Sequence, residues 1–200
     1  MARSIDYYFS MASPWAYLGH ARFMEMAAAH GATVDPRPVP LRELFPQTGG
    51  LMLPQRHPVR QRYRLVELQR WSARRGLPLV PQPRPTRFDP TLLDHAVTRL
   101  ILDGQDPDAF MRRAFHAIWA DCLDLADPAA IDRLADAPGL SERASAPEVA
   151  ARYDAMLPLA LEADVFGSPS YVLDGEVFWG QDRLDLLEEA LASGRAPYRP

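Results

Sequence analysis

Strand-forming signals lie only at the two ends of this 200-residue chain, and residues 41–146 between them read as helix and proline-rich loop. Residues 4–10 are aromatic and rich in strand formers. Ser13 directly before Pro14 predicts a helix start, because proline's missing N–H is not needed in a first helical turn. That helix runs to Ala29 and stops at Gly31, and residues 32–39, with Val34 and Val39 among prolines, predict a second strand. At the far end, residues 147–163 predict a helix bent at Pro158. The stretch Phe166 to Leu173 leads into a strand, and Asp174-Gly175 is a strong two-residue hairpin signal. Glu176 to Trp179 is the return strand. Gly180 breaks it, and a last helix follows with Leu184, Leu187 and Leu191 on one face.

In the middle, residues 57–75 predict an arginine-studded helix with Tyr63, Val66 and Leu68 as core contacts. Four prolines within 81–90 forbid regular structure there. Leu93, Ala96, Val97, Leu100 and Ile101 recur at helical spacing, as do Phe110, Ala114, Ala117 and Ile118 after Pro107. A short helix is expected around Ile131–Ala135. The whole order is β-α-β, a helical block, then α-β-β-α. It predicts a thioredoxin-like α/β fold with an inserted all-helical domain. Residues 1–40 and 147–200 make the discontinuous thioredoxin-like domain, and 41–146 make the insertion.

Such a length holds one good core without cross-links. The single Cys122 excludes a disulfide framework, a Cys-x-x-Cys pair and a cysteine-rich zinc site, so no metal is expected. Its helical surroundings predict a small core residue. No apolar run approaches the ~20 residues of a membrane span, and Ser4, Asp6 and Ser10 interrupt any leader-like stretch. A cytoplasmic protein without a membrane partner is expected. Charge is uneven: residues 37–87 hold eleven arginines against Glu43 and Glu67, in a chain of net charge −4 without lysine. Such a segment faces an anion, either a small carboxylate, a nucleic acid or the protein's own acidic parts. The acidic whole and the lack of a recognition motif disfavour nucleic acid.

The junction of the first strand and helix carries Ser13-Pro14-Trp15-Ala16. Amide N–H groups and the positive helix end gather there and favour an anion such as a thiolate. A Ser-x-x-Ala sequence cannot shuttle a disulfide by itself. Ser13 reads either as an N-cap or as a hydrogen-bond donor to a ligand's thiolate. In Gly167-Ser168-Pro169-Ser170-Tyr171, Pro169 is either a trans structural proline or a cis one. A cis proline leaves the preceding N–H and C=O open to a peptide-like ligand. In Gly180-Gln181-Asp182-Arg183, Asp182 either caps a helix or accepts from a ligand ammonium, and the amides there suit a carboxylate.

These stretches, with Tyr8-Phe9, Tyr17-Leu18-Gly19, Leu53-Pro54-Gln55-Arg56, Tyr63-Arg64-Leu65, Leu68-Gln69-Arg70-Trp71 and Phe178-Trp179, resemble the 2-hydroxychromene-2-carboxylate isomerases. Those enzymes are relatives of kappa-class glutathione transferases and of the disulfide oxidoreductase DsbA. The resemblance implies glutathione as cofactor. Ser13 would be the catalytic residue, hydrogen-bonded to its sulfur. Ser168, beside Pro169, would pair with its cysteinyl backbone, and Gln181, Asp182 and Arg183 would surround its γ-glutamyl end. Arg56 would approach a carboxylate of glutathione or substrate, and Trp15 or Tyr63 would stack on an aromatic keto acid. A homodimer is also implied. Gly50 and Val80 stand where relatives carry asparagine, and arginine replaces the family's lysine, which changes the substrate side. The expected function is a glutathione-dependent isomerase of bicyclic-aromatic breakdown. A kappa-like glutathione transferase and a catalytically silent binding protein are the alternatives.

Overall fold

The computed structural model describes residues 3–82 and 88–199. Its sheet joins strands from both ends of the chain: β1 (Ser4–Phe9), β2 (Thr33–Pro38), β3 (Ser170–Leu173) and β4 (Glu176–Trp179), in the order β2-β1-β3-β4. β1 and β2 are parallel and are linked by helix α1 (Pro14–Ala29). β3 runs antiparallel to β1, and β4 antiparallel to β3. Asp174 (φ 51°) and Gly175 (φ 80°) both turn left-handed, which matches the twist of the flanking strands and closes the β3–β4 hairpin as expected.

Between β2 and β3 lie α2 (Leu41–Gln47), α3 (Pro58–Arg75), α4 (Pro90–Leu102), α5 (Asp108–Trp119), α6 (Pro128–Ala135), α7 (Leu140–Ala144), α8 (Pro147–Asp154) and α9 (Met156–Glu162). Helix α10 (Leu184–Ser193) follows the sheet. Side chains alternate along β1. Ile5, Tyr7 and Phe9 face α1 and the helical block, while Tyr8 joins Val39, Leu44, Ala160, Val165 and Val172 on the other side. Leu93, Ala96, Val97 and Leu100 of α4 and Phe110, Ala114, Ala117 and Ile118 of α5 are all buried. They share a single core with Ile5, Tyr7 and Phe23. Each of the leucine, valine, isoleucine and phenylalanine side chains among them contributes about 1.5–3 kcal/mol on leaving water, so the helical block and the sheet stabilise one another. None of the described helices is long and apolar enough to cross a membrane.

Three expectations need correction. Leu68 is fully buried, but Tyr63 (58% exposed) and Val66 (44%) lie on the outward stripe of α3. The helix between Pro147 and Glu162 is broken rather than bent. The break at Ala155 puts Pro158 in the first turn of α9, where its missing N–H leaves no helical acceptor wanting. Cys122 is half-buried and left-handed (φ 53°), beyond the end of α5. There the N–H groups of Asp121 and Leu123 reach back to His116 and Ala117 in wide turns of 3.1 and 2.8 Å. Of the proline-rich stretch 81–90, residues 83–87 lie outside the described residues. α4 starts at Pro90, capped by Asp89, which accepts from the Thr91 N–H at 2.9 Å.

Candidate active site

The connection Ser10-Met11-Ala12 carries the chain from β1 to α1, and Ser13 caps the helix. Its Oγ accepts from the Ala16 N–H at 3.2 Å and donates to the Ser168 carbonyl at 3.0 Å. The geometry is that of the N-cap reading, with the hydroxyl's own proton taken up inside the protein. Ser13 is a true N-cap, and its single proton points across to the loop before β3. Ser13 and Ser168 are 6% and 8% exposed, so the pair is buried rather than in bulk water.

The Ser168-Pro169 peptide bond is cis. The expectation that this leaves both backbone groups of Ser168 open is half right. The carbonyl is occupied by Ser13, while the Ser168 N–H has no acceptor among the described residues. The Pro169 carbonyl accepts from the Gly180 N–H at 2.9 Å, which ties this loop to the next one. Gly180 (φ 101°) needs its missing Cβ, because one there would stand 2.5 Å from the Asp182 carboxylate.

Gln181 is 1% exposed and turned inward. Arg75 of α3 donates to its side-chain and main-chain oxygens at 3.1 and 2.9 Å, so that amide oxygen is used inside the protein. Asp182 does not cap a helix; it pairs with the neighbouring Arg183 at 2.8 Å, and both side chains are partly exposed. Gly19 makes the closest approach of α1 to this turn. A Cβ at Gly19 would lie 2.6 Å from that of Gln181 and 2.9 Å from the Tyr171 hydroxyl.

Of the residues expected near the substrate, Trp15 is half-buried against the core beside Ser13. Arg56 donates to the Leu51 carbonyl at 2.8 Å and lies 5.9 Å from the centre of the Phe45 ring. Tyr63 is not brought in, because it stands on the outer stripe with Glu67 and Arg70. A cavity of about 380 Å³ opens on the inner side of α3, lined by Gln61, Arg62, Arg64, Leu65 and Trp119 among others. Of the eight arginines from Arg42 to Arg75, only Arg70 reaches a carboxylate among the described residues, at 2.6 Å from Glu67. Burial and the neighbouring Arg56 both press the Arg64 guanidinium below its usual range, so a carboxylate would be welcome beside it. The protein's own acids therefore do not neutralise this helix.

Sequence reasoning missed Arg75 and Asp94. Asp94 of α4 is 1% exposed and lies directly beneath the Ser10–Ser13 loop. It accepts from the Met11 N–H at 2.7 Å, the Ser10 hydroxyl at 2.8 Å and the Tyr153 hydroxyl at 3.2 Å. An aspartate within a periodic apolar run was the only local signal available.

The profile of the DSBA-like thioredoxin domain matches residues 4–192. A 2-hydroxychromene-2-carboxylate isomerase of Sphingobium xenophagum is 31% identical over 198 residues, covering 96% of this chain and 99% of the relative. One of Pseudomonas putida is 30% identical over 197 residues, covering 94% and 93%. The solved structure of a 2-hydroxychromene-2-carboxylate isomerase superimposes with a TM-score of 0.82 at 27% identity, covering 95% of both chains. The chain belongs to the DSBA-like thioredoxin family and, within it, to the 2-hydroxychromene-2-carboxylate isomerases.

Proposed function

We propose that this chain is a glutathione-dependent isomerase that interconverts a 2-hydroxychromene-2-carboxylate and its open-chain trans-benzylidenepyruvate form. Isomerisation of an aromatic acid is supported by the family. Glutathione is supported by the site itself, and the observation that carries it is the Ser13–Ser168 pair. A buried hydroxyl at a helix N-terminus faces a cis-proline edge whose N–H has no acceptor among the described residues, with no cysteine at either position of the Ser-x-x-Ala turn.

The residues present fit a small thiol peptide. The Ser168 N–H and carbonyl offer one donor and one acceptor to a cysteinyl main chain, as an added strand does. When a ligand N–H takes the Ser168 carbonyl, the Ser13 hydroxyl loses its present acceptor and turns its proton to the sulfur. The N-terminus of α1 adds its positive end to that interaction, which favours the anionic form of a thiol. Bound glutathione supplies a thiolate that adds reversibly to the conjugated double bond, so that rotation about a single bond precedes its release unchanged. The arginines of α3 hold the carboxylates of two anionic partners together, and Arg62 and Arg64 line a cavity large enough for a bicyclic acid. Arg75 keeps the Gln181 turn in place from below.

The test is a titration of the protein with reduced glutathione, following thiolate absorbance in the wild type and in Ser13→Ala. Binding at millimolar concentration with a thiol pKa lowered in the wild type and restored in Ser13→Ala is the expected result. No binding overturns the proposal. Recovery of glutathione unchanged after turnover separates an isomerase from a transferase.

A further inference from the structure

Asp94 reaches the site from the helical block, and two of the three groups its carboxylate accepts from belong to the loop that presents Ser13. Its Oδ1 takes the Met11 N–H and its Oδ2 takes the Ser10 hydroxyl, at 2.7 and 2.8 Å. Ser10 then spreads this hold in three directions. Its Oγ accepts from the Ala12 N–H at 3.3 Å, its N–H donates to the Ser168 Oγ at 3.0 Å, and its carbonyl accepts from the Ser13 N–H at 3.0 Å. One buried carboxylate thus fixes both sides of the Ser13–Ser168 contact.

We propose that Asp94 is a positioning residue of the active site, acting through Ser10 and Met11 to set the Ser13 hydroxyl and the Ser168 edge. It does not touch the reacting atoms. The proposal rests on the reading of Ser13 given above only where turnover or thiol acidity is measured.

The ionised form is the one that holds the loop, since a carboxylate accepts three hydrogen bonds at once. A protonated Oδ2 must donate, which reverses one of these hydrogen bonds and turns either the Ser10 or the Tyr153 hydroxyl from donor to acceptor. Burial pushes the Asp94 carboxyl up to about 7, partly offset by the Met11 amide and the Ser10 and Tyr153 hydroxyls, with Asp89 at the head of α4 adding a like charge. From α8, Tyr153 faces it directly, backed by the edge of the His95 ring at 4.9 Å and by the charges of Asp154 and Glu43. Arg143 of α7 is turned towards Asp103, and Asp35 of β2 towards Arg37.

A carboxyl whose folded pKa lies above its unfolded one stabilises the fold at acid pH and loses that contribution as pH rises through about 7. Positioning and stability therefore pull in opposite directions. At about pH 8 the Asp94→Asn protein should unfold at a temperature equal to or above the wild type, because a buried charge is gone. Its turnover should nevertheless fall about tenfold, with the pKa of bound glutathione raised, because Ser13 is less well held. A merely structural role predicts a lower Tm with thiol acidity unchanged.

The deciding measurement needs no ligand. Amide resonances of Ser13 and Ser168 are followed against pH in the wild type, Asp94→Asn and Ser10→Ala. In the wild type both should report one step near pH 7, well above the value of about 3.9 of an ordinary aspartate, and the step should vanish in Asp94→Asn. In Ser10→Ala it should shrink at Ser168 while persisting at Met11. An unchanged Ser13 titration in folded Asp94→Asn, or in folded Ser10→Ala should Asp94→Asn fail to fold, overturns the proposal. A wild type that shows the step but binds no glutathione overturns the proposed function and leaves Asp94 standing.

Discussion

Arg195 grips Glu176 through two hydrogen bonds of 2.7 and 2.8 Å, whereas Arg64, half-buried in α3, touches no carboxylate among the described residues. The contrast runs through the molecule. Arg3 pairs with Asp174, Arg22 with Glu188, Arg37 with Asp6 and Asp35, and Arg112 with Asp108. Along α3, apart from Arg70, no guanidinium group reaches a carboxylate among the described residues: Arg75 meets both oxygens of Gln181, and Arg74 and Arg75 lie over the Trp71 ring. A paired arginine is part of the architecture, and an unpaired one lining a cavity is the kind that the proposed function directs at an anionic ligand. The same residue type, in a chain with no lysine to share the work, is thus divided between two tasks by where the acids lie.

The sharpest way to break this comparison is Arg64→Gln. Loss of a charged hydrogen bond is worth ~1.5–3 kcal/mol, so half-saturation by an aromatic keto acid should rise about 10- to 100-fold, with little change in Tm. Binding isotherms on the folded variant measure this, and an unchanged affinity would return Arg64 to the solvated surface. Arg75→Gln comes next. It frees the Gln181 turn, so affinity for glutathione should fall several-fold, and the turn's amide protection from hydrogen exchange should fall with it. An unchanged protection pattern would show that Gln181 does not need Arg75.

Arg195→Gln should act on the other side of the comparison, lowering Tm while leaving both ligand affinities alone. The hydrogen bond from Arg195 holds the Glu176 carboxyl below its usual range, helped by the Tyr198 N–H. A depressed carboxyl stabilises above its unfolded value of about 4.3 and loses that contribution as pH falls through its lower folded value. The gap in Tm between wild type and Arg195→Gln should therefore close in acid, and a gap that widens there would reverse the assignment. Arg70→Gln should do least of all, because its pair with Glu67 is exposed and screened. Salt gives the same ordering without mutation. Raising ionic strength should weaken ligand binding well before it moves Tm.

Local features of the fold were written plainly in the sequence. The Asp174-Gly175 turn, the Ser13 cap and the apolar stripes of α4 and α5 each depend on residues a few positions apart, where spacing carries the information. The stripe of α3 was harder to read. Arginine stems cover apolar surface as well as carrying charge, so Tyr63 and Val66 looked like inward positions when Leu68 was one. The hold of Arg75 on Gln181 and of Asp94 on Ser10 spans 106 and 84 residues, and no local pattern announces such pairs. Their chemistry becomes visible only once the helical block is laid against the sheet.

The pairing of Ile5 with Leu173 places one constraint on how the molecule comes into being. The central strand is synthesised well before its antiparallel neighbour, with the whole helical block between them. Until β3 emerges, β1 has only β2 beside it, and a row of its amides and carbonyls is open to any other extended chain. The ordering of contacts is dominated by this late closure, so folding should be slower than the helical content suggests. Ser13 and Ser168 sit at the end of the same seam. The Ser13–Ser168 contact therefore forms only once β3 has joined β1, and a nascent chain carries a helix cap long before it carries the candidate site.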